Sequence, residues 1–269
     1  TTGGRCRLRM IHLPRPTDRP EAVALEQLIR PPGGDLEELG TTPFVVAFKE
    51  RYLPDQGCLL QILGWDEEVT LRYKMSRETL TLSDTLAVVG QIAAALAAAH
   101  QRGIVHGDLR PENVLCGASG ARLVNFHRQF TTPGMALRLH PGSPAAADNP
   151  YRAPELTAAD GRAQPGPGTD LFSLGAILYE LLCGDLPGWR GPERSTSNGV
   201  IPEELLPSRR FKELPVSLDV LIRKSYAART SERYPDVKGF IRELKPYLQM
   251  LDRRGMPASL ALRPIPPSA

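Results

Sequence analysis

The sequence has few of the features by which zinc-binding, nucleic-acid-binding and membrane-spanning proteins are recognised. The net charge of +3 is small for 269 residues, and Lys and Arg alternate with Asp and Glu, so we expect no nucleic-acid partner. It has no uninterrupted apolar run of about 18 residues, which predicts no membrane insertion. The four cysteines are Cys6, Cys58, Cys116 and Cys183, and they form no C-x-x-C pair, which disfavours a zinc site. We expect them to be reduced, buried thiols in a cytoplasm.

What the sequence does contain is typical of a globular protein. Hydrophobic residues make up 41% and charged residues 23% of the chain, which is enough to bury a core at this length. The chain begins with Thr1 instead of Met, and we expect it to be a piece of a longer protein.

The first 65 residues have the pattern of a small sheet with one helix. Strand-forming residues predict strands over 5–13, 44–52 and 58–63, and the turn-forming residues 54–57 predict a hairpin between the last two. A helical pattern runs over 21–30 and ends at two prolines and two glycines.

From residue 83 the pattern is mainly helical. Apolar residues at 86, 89, 92, 93, 96 and 99 share one face of a long helix, and Ser83 is placed to cap it. A hairpin over 113–126 follows, and an almost wholly apolar helix over 171–183, closed by Gly184, must be buried. Helical patterns over 217–228 and 234–251 complete this part, and four prolines mark the tail 257–269 as a linker.

The loop between the long helix and the hairpin reads H-G-D-L-R-P-E-N over residues 106–113. It resembles the catalytic loop H-R-D-x-K-x-x-N of protein kinases, and Asn125-Phe126-His127 stands where those enzymes carry D-F-G. Ala153-Pro154-Glu155 matches A-P-E, Asp170 lies at the start of the apolar helix, and Arg233 stands where a kinase Arg pairs with that Glu. The sequence around these motifs is most similar to that of bacterial Ser/Thr kinases of the eukaryotic-like family.

The resemblance implies an α+β, bilobal kinase-like fold, with a small β-rich N-lobe that begins after the Gly-rich loop and a mainly helical C-lobe. We assign residues 1–65 to the N-lobe, 66–252 to the C-lobe and 253–269 to a proline-rich tail or linker. Either the Gly-rich loop G-x-G-x-x-G was trimmed from this chain or the protein lacks it.

By the same resemblance, the catalytic loop supplies three site residues. Asp108 would accept or orient the proton of a substrate hydroxyl, or it would only bond its own loop. Arg110, in place of the usual Lys, could offset phosphate charge. Asn113 would give a side-chain oxygen to the metal, or tie the loop together. His106 is expected to be buried and structural, Asp170 to accept hydrogen bonds from the loop backbone, and Glu155 to pair with Arg233.

The departure from the family pattern is Asn125, because the Asp of D-F-G is the principal anionic ligand of Mg²⁺. Asn113 and Asn125 therefore make a degenerate metal site that binds weakly. His127 in place of Gly adds a side chain where the loop of kinases is flexible, and Gly107 in place of Arg disfavours control by loop phosphorylation.

The nucleotide site in the first half is weaker still. Aligning residues 6–9 with V-A-I-K puts Arg9 where the phosphate-binding Lys belongs, and its helix partner would be Glu26; an ordinary solvated Arg9 fits equally well. The hinge beside adenine is expected near Leu63 and Trp65, although Trp65 fits simple packing too.

Taken together, these residues predict a cytoplasmic pseudokinase that regulates or scaffolds partner proteins, with ATP and Mg²⁺ bound weakly or not at all. The alternative is an active, atypical Ser/Thr kinase, because Asp108, Arg110 and Asn113 survive together. A pure interaction module without nucleotide is a third hypothesis.

Overall fold

The computed structural model describes residues 6–12, 42–46, 48–53, 58–64, 68–126, 149–157, 165–187 and 199–252, with strand or helix backbone only for 6–12, 48–53, 58–64 and 251–252. Its strands are β1 Cys6–His12, β2 Phe48–Leu53, β3 Cys58–Gly64, β4 Val69–Thr70, β5 Val114–Gly117 and β6 Gly120–Leu123. Its α-helices are α1 Leu71–Arg77, α2 Leu82–Gln101, α3 Pro167–Cys183, α4 Pro207–Arg210, α5 Val216–Ser225 and α6 Val237–Asp252. A small sheet followed by a mainly helical part is the expected α+β, kinase-like arrangement.

The first sheet has the order β1-β3-β2 and is antiparallel throughout. The predicted strands over 5–13 and 58–63 and the hairpin that joins β2 to β3 are confirmed. Arg9 stands opposite Gln61, and Leu63 stands opposite Arg7 and Phe48. The predicted helix over 21–30 lies outside the described residues.

The prediction of one strand over 44–52 was wrong at its start, because β2 begins at Phe48. The preceding residues turn away to the second sheet: Leu123 N donates to Phe44 O over 2.8 Å, and Val46 N donates to Leu123 O over 3.0 Å. Phe44 has φ 69°, which is rare for an aromatic residue. The buried side chains of Val45 and Val46 hold this bend against β6, so packing overrides the local strand preference.

Helix α2 is the long helix that the sequence predicts, with the predicted face at 86, 89, 92, 93, 96 and 99 buried. Ser83 is not the cap; it lies in the first turn. The cap is Thr81, whose Oγ1 accepts from Asp84 N over 3.1 Å while Asp84 Oδ2 accepts from Thr81 N over 3.0 Å. By length and hydropathy α2 could span a membrane, but more than half of it is buried against the rest of the protein, as in the core helix of a globular domain.

Helix α3 is the centre of the helical part. It begins at Pro167, four residues before the predicted start at 171, and every residue from Thr169 to Leu182 is buried. Gly184 ends it with φ 79°, a left-handed conformation that glycine adopts without strain. Helices α2 and α5 pack against α3, and α6 packs against α2. Helices α5 and α6 begin and end within a few residues of their predicted bounds.

The two cysteine side chains that the structure describes have the structural character expected of them. Cys116 is buried and Cys183 is partly buried, and neither forms a disulfide. Burial raises the pKa of each thiol to about 11, so both remain protonated at neutral pH. The side chains of Cys6 and Cys58 lie outside the described set.

We expect Thr81→Ala to lower the free energy of unfolding by about 1 kcal/mol, because it removes one half of the capping box of α2. Ser83→Ala is the matched control, since it changes a hydroxyl of the same helix turn that is not the cap. Denaturant unfolding of both variants measures the difference. A larger loss for Ser83→Ala than for Thr81→Ala would contradict the assignment of the cap.

Candidate active site

The loop over residues 106–113 is held by the carboxylate of Asp170, which α3 brings up from the buried core. Asp170 is 1% exposed, and it accepts from His106 N over 2.8 Å, Gly107 N over 2.9 Å and His100 Nε2 over 2.8 Å. The predicted contact between Asp170 and the loop backbone is confirmed. Because a buried carboxylate must be satisfied by donors, this contact sets the position of the loop.

His106 is structural, as predicted. It is fully buried, its Nε2 lies 3.0 Å from Val124 O, and its Nδ1 accepts from Asp108 N over 3.3 Å. The ring packs against Phe126 at 4.7 Å between centroids. A nitrogen that faces a carbonyl must carry the hydrogen, and one that faces an amide N–H must accept, so these two backbone contacts select a single tautomer of the ring.

Asp108 lies beside the loop that follows it and is largely buried, with 17% of its side chain exposed. Asn113 Nδ2 donates to the backbone oxygen of Asp108 over 2.7 Å and to Asp108 Oδ2 over 3.1 Å. Arg110 Nε lies 3.5 Å from the same Oδ2 and 4.0 Å from Glu112 Oε2. Asp108, Arg110 and Asn113 are thus brought together, and the Arg110 charge faces the chain's own carboxylates.

Asn125 sits at the end of the hairpin with φ 62°, a conformation that Asn and Asp tolerate better than most residues. Its Nδ2 donates to Asn113 Oδ1 over 2.8 Å. The orientation follows from the neighbours: Asn113 turns its Nδ2 to Asp108, so its Oδ1 faces Asn125 and needs a donor there. The two residues predicted to form the degenerate metal site therefore satisfy one another.

These two residues do not fit Mg²⁺ as they stand. Mg²⁺ is bound through carboxylates and phosphate oxygens, whereas this pair is neutral and turns an amide N–H₂ group into the space between the side chains. Among the described residues there is also no group of three His, Cys, Asp or Glu side chains that could hold a metal ion.

Several predicted site residues stay predictions. Glu26, Trp65 and His127 lie outside the described residues. Arg9 and Leu63 are placed by their backbone in β1 and β3, which gives their strand neighbours but not a nucleotide contact.

A partly buried ionic network, not foreseen from the sequence, joins α1, the catalytic loop, residues 149–153 and α3. Arg72 Nη1 donates to Glu180 Oε1 over 2.8 Å and its Nε to Glu112 Oε1 over 3.0 Å, while the Tyr151 hydroxyl bonds both Arg72 and Glu180. Burial, followed by the Glu180 charge, raises the pKa of Tyr151 well above its usual value. An acid within an otherwise apolar helix was the available signal, but Arg72 is too far away in sequence to be identified as its partner.

Asn149 was missed as well. Its Nδ2 donates to Asp108 Oδ1 over 3.2 Å, and its Oδ1 accepts from Tyr151 N over 3.0 Å. Nothing in the residues around Asn149 indicates this contact, because it joins positions 41 residues apart.

The predicted pair of Glu155 and Arg233 is present with two parallel hydrogen bonds of 2.7 Å. Arg233 is fully buried in its side chain and Glu155 is 27% exposed. Arg233 also donates to the backbone oxygens of Ala227, Gly168 and Ala228. Burial raises the pKa of Glu155, but the hydrogen bonds and charge of Arg233 outweigh it, so this pKa lies below its usual value.

Comparison with known proteins agrees with this architecture. The family described as "Protein kinase domain" matches residues 36–244, which is more than half of the chain. "Serine/threonine-protein kinase SIK1" of Rattus norvegicus is 41% identical over 108 residues, or 39% of this chain and 13% of that protein. "Probable serine/threonine-protein kinase MARK-C" of Dictyostelium discoideum is 34% identical over 125 residues, or 46% of this chain and 15% of that protein. The match thus spans less than a sixth of these relatives' own lengths.

We expect Glu155→Gln to destabilise the protein by about 2 kcal/mol at neutral pH, because it leaves the buried Arg233 without a counter-charge. Since the pKa of Glu155 is lowered in the folded state, the pair stabilises above the usual Glu pKa of about 4.3, and this stability is lost as the pH falls through the folded pKa. The difference between wild type and variant should therefore vanish in acid.

Denaturant unfolding at neutral and at acid pH measures this difference. Glu203→Gln is the control, because Glu203 pairs with Arg209 at the exposed surface and should show no measurable change at neutral pH. Equal stabilities of wild type and Glu155→Gln at neutral pH would contradict the role of the pair.

Proposed function

Because the chain belongs to the protein kinase domain family, we propose that it is a kinase domain without efficient phosphoryl transfer, which regulates or scaffolds partner proteins. One observation carries the proposal. The position that should give the metal a carboxylate holds Asn125, and its amide donates to Asn113 Oδ1, the oxygen that should serve as the second metal ligand.

The charge at this position supports the loss of transfer. In phosphoryl transfer the protein contributes mainly positioning and charge stabilisation, and the metal supplies much of the latter. Removing an anionic ligand costs several kcal/mol of that stabilisation, and each 1.4 kcal/mol is about tenfold in rate. We therefore propose that ATP and Mg²⁺ bind weakly or not at all and that turnover is lower by orders of magnitude.

The intact framework supports a binding role. Asp170 accepts hydrogen bonds from the catalytic loop, and Glu155 pairs with Arg233 in the helical part. The Tyr151 hydroxyl is held between Arg72 and Glu180, which bond each other. A fold alone does not establish a function, so the nature of the partner stays open to experiment. The division into an N-lobe over 1–65, a C-lobe over 66–252 and a tail over 253–269, and a location in the cytoplasm, belong to the same proposal.

An active, atypical Ser/Thr kinase is the second candidate. Two observations favour it. Arg110 and Asn113 lie at the carboxylate of Asp108, and the relatives are named as Ser/Thr kinases. In this case Asp108 would orient the substrate hydroxyl and Arg110 would offset the charge of the phosphate.

We expect Asn125→Asp to create a cation site. The introduced carboxylate would face Asn113 Oδ1 at about 2.8 Å, where two acceptors repel unless a cation lies between them. Without metal the variant should lose about 1–2 kcal/mol of stability, and millimolar Mg²⁺ with ATP should restore it. Wild type should show no such metal dependence, and transfer by the variant should stay poor because its other positioning groups are unchanged.

Thermal melts and calorimetry with Mg²⁺ and ATP, beside a radiolabelled transfer assay, test these expectations. Asn125→Gly is the matched control: it tolerates φ 62° and loses the same hydrogen bond, but it brings no carboxylate. Phosphate incorporation by the unmodified protein that disappears in Asp108→Ala would overturn the proposal in favour of the active kinase.

A further inference from the structure

Asn149 joins residues 149–153, which lie just before Pro154, to the catalytic loop. Asn149 Nδ2 donates to Asp108 Oδ1 over 3.2 Å, and Asn149 Oδ1 accepts from Tyr151 N over 3.0 Å. Behind it, Tyr151 is anchored to the core, because Ser173 Oγ donates to its backbone oxygen over 2.7 Å and its hydroxyl bonds Glu180. Asn149 is thus fixed on one side to α3, through Tyr151, and on the other to Asp108.

We propose that Asn149 is a positioning residue that fastens this segment to Asp108 and occupies the carboxylate oxygen that a substrate hydroxyl would otherwise use. The inference rests on the proposed function, since it gives a second reason, independent of the metal, why the site transfers phosphate poorly. It concerns the protein side of the reaction, where the peptide hydroxyl enters, and not the nucleotide.

The acceptor positions of Asp108 support this inference. Its Oδ2 accepts from Asn113 Nδ2 and faces Arg110 Nε at 3.5 Å, while its Oδ1 accepts from Asn149. Both oxygens are therefore engaged by groups of the chain. A hydroxyl that donates to Oδ1 must share this oxygen with an amide that is already in place.

The chemistry of position 149 is specific to an amide. Its oxygen is committed to the backbone N–H of Tyr151, so its N–H₂ group is the part turned toward Asp108. An Asp at this position could still accept from Tyr151 N, but it would set two carboxylates face to face at about 3 Å, which is unfavourable. A shorter side chain could not bridge both partners.

The pair can be tested by exchanging the two side-chain types. Asn149→Asp opposes two carboxylates. Asp108→Asn opposes two amide donors, because the amide introduced at 108 keeps its oxygen toward Asn113 and turns its N–H₂ group to Asn149. In the double variant the amide at 108 donates to the carboxylate at 149, so the hydrogen bond is restored with its direction reversed.

Hydrogen exchange of the Tyr151 and Arg152 amides, measured by NMR or mass spectrometry, reports the attachment. Both amides bond Asn149, the first to its side chain and the second to its backbone oxygen over 3.1 Å. We expect each single variant to exchange about tenfold faster at these amides, and the double variant to return to the wild-type rate. Thr81→Ala controls for a general loss of stability, since it weakens α2 without touching this segment.

Unchanged exchange in both single variants, or a double variant no better protected than either, would overturn the inference. If Asn149→Asp does not fold, faster exchange in Asp108→Asn, and its reversal by the second substitution, still decide the matter. Additive losses in the double variant, instead of rescue, would show that residues 149 and 108 do not act through a shared contact. The proposed loss of transfer fails separately, by phosphate incorporation in the unmodified protein, which the exchange measurement does not report.

Discussion

The buried carboxylate of Asp170 is the constraint on which the candidate site depends. A carboxyl group with 1% exposure is tolerated only when hydrogen-bond partners surround it, and here two of those partners are backbone N–H groups of the catalytic loop. The third, His100, comes from the end of α2. One side chain of α3 therefore ties two helices and the loop into one unit, and the side chains of Asp108 and Asn113 follow from the position of that loop.

Asn125 has no carboxylate, so position 125 needs no cation to balance a charge. A carboxylate facing Asn113 Oδ1 would need a cation to be stable, whereas the amide pair is satisfied without one. A hydrogen bond between two amides thus stands where the family pattern has a carboxylate. This explains how the frame keeps its arrangement although the ligand chemistry at its centre has changed.

The fold was predictable wherever a local pattern determines it. Helix α2 follows from its apolar face, the left-handed end of α3 from Gly184, and the hairpin of β5 and β6 from its turn residues. The cap at Thr81 was missed because a neighbouring Ser satisfies the same rule, and the start of β2 because Val45 and Val46 are drawn to β6 by long-range packing. Motifs located Asp108, Asn113 and Asn125, but Asn149 and Arg72 act through partners 41 and 108 residues away, which no local pattern encodes.

The buried ion pairs and the amide contacts at Asn125 differ in what a substitution changes. The Arg72, Glu180 and Tyr151 network and the pair of Glu155 and Arg233 bury charges, so removing one partner leaves an uncompensated charge and destabilises the protein. The contacts around Asn113 and Asn125 join two amides to each other and to Asp108, so a substitution there changes ligand binding together with the hydrogen bonds of the buried Asn113. The buried charges thus stabilise the kinase fold independently of the side chain at position 125.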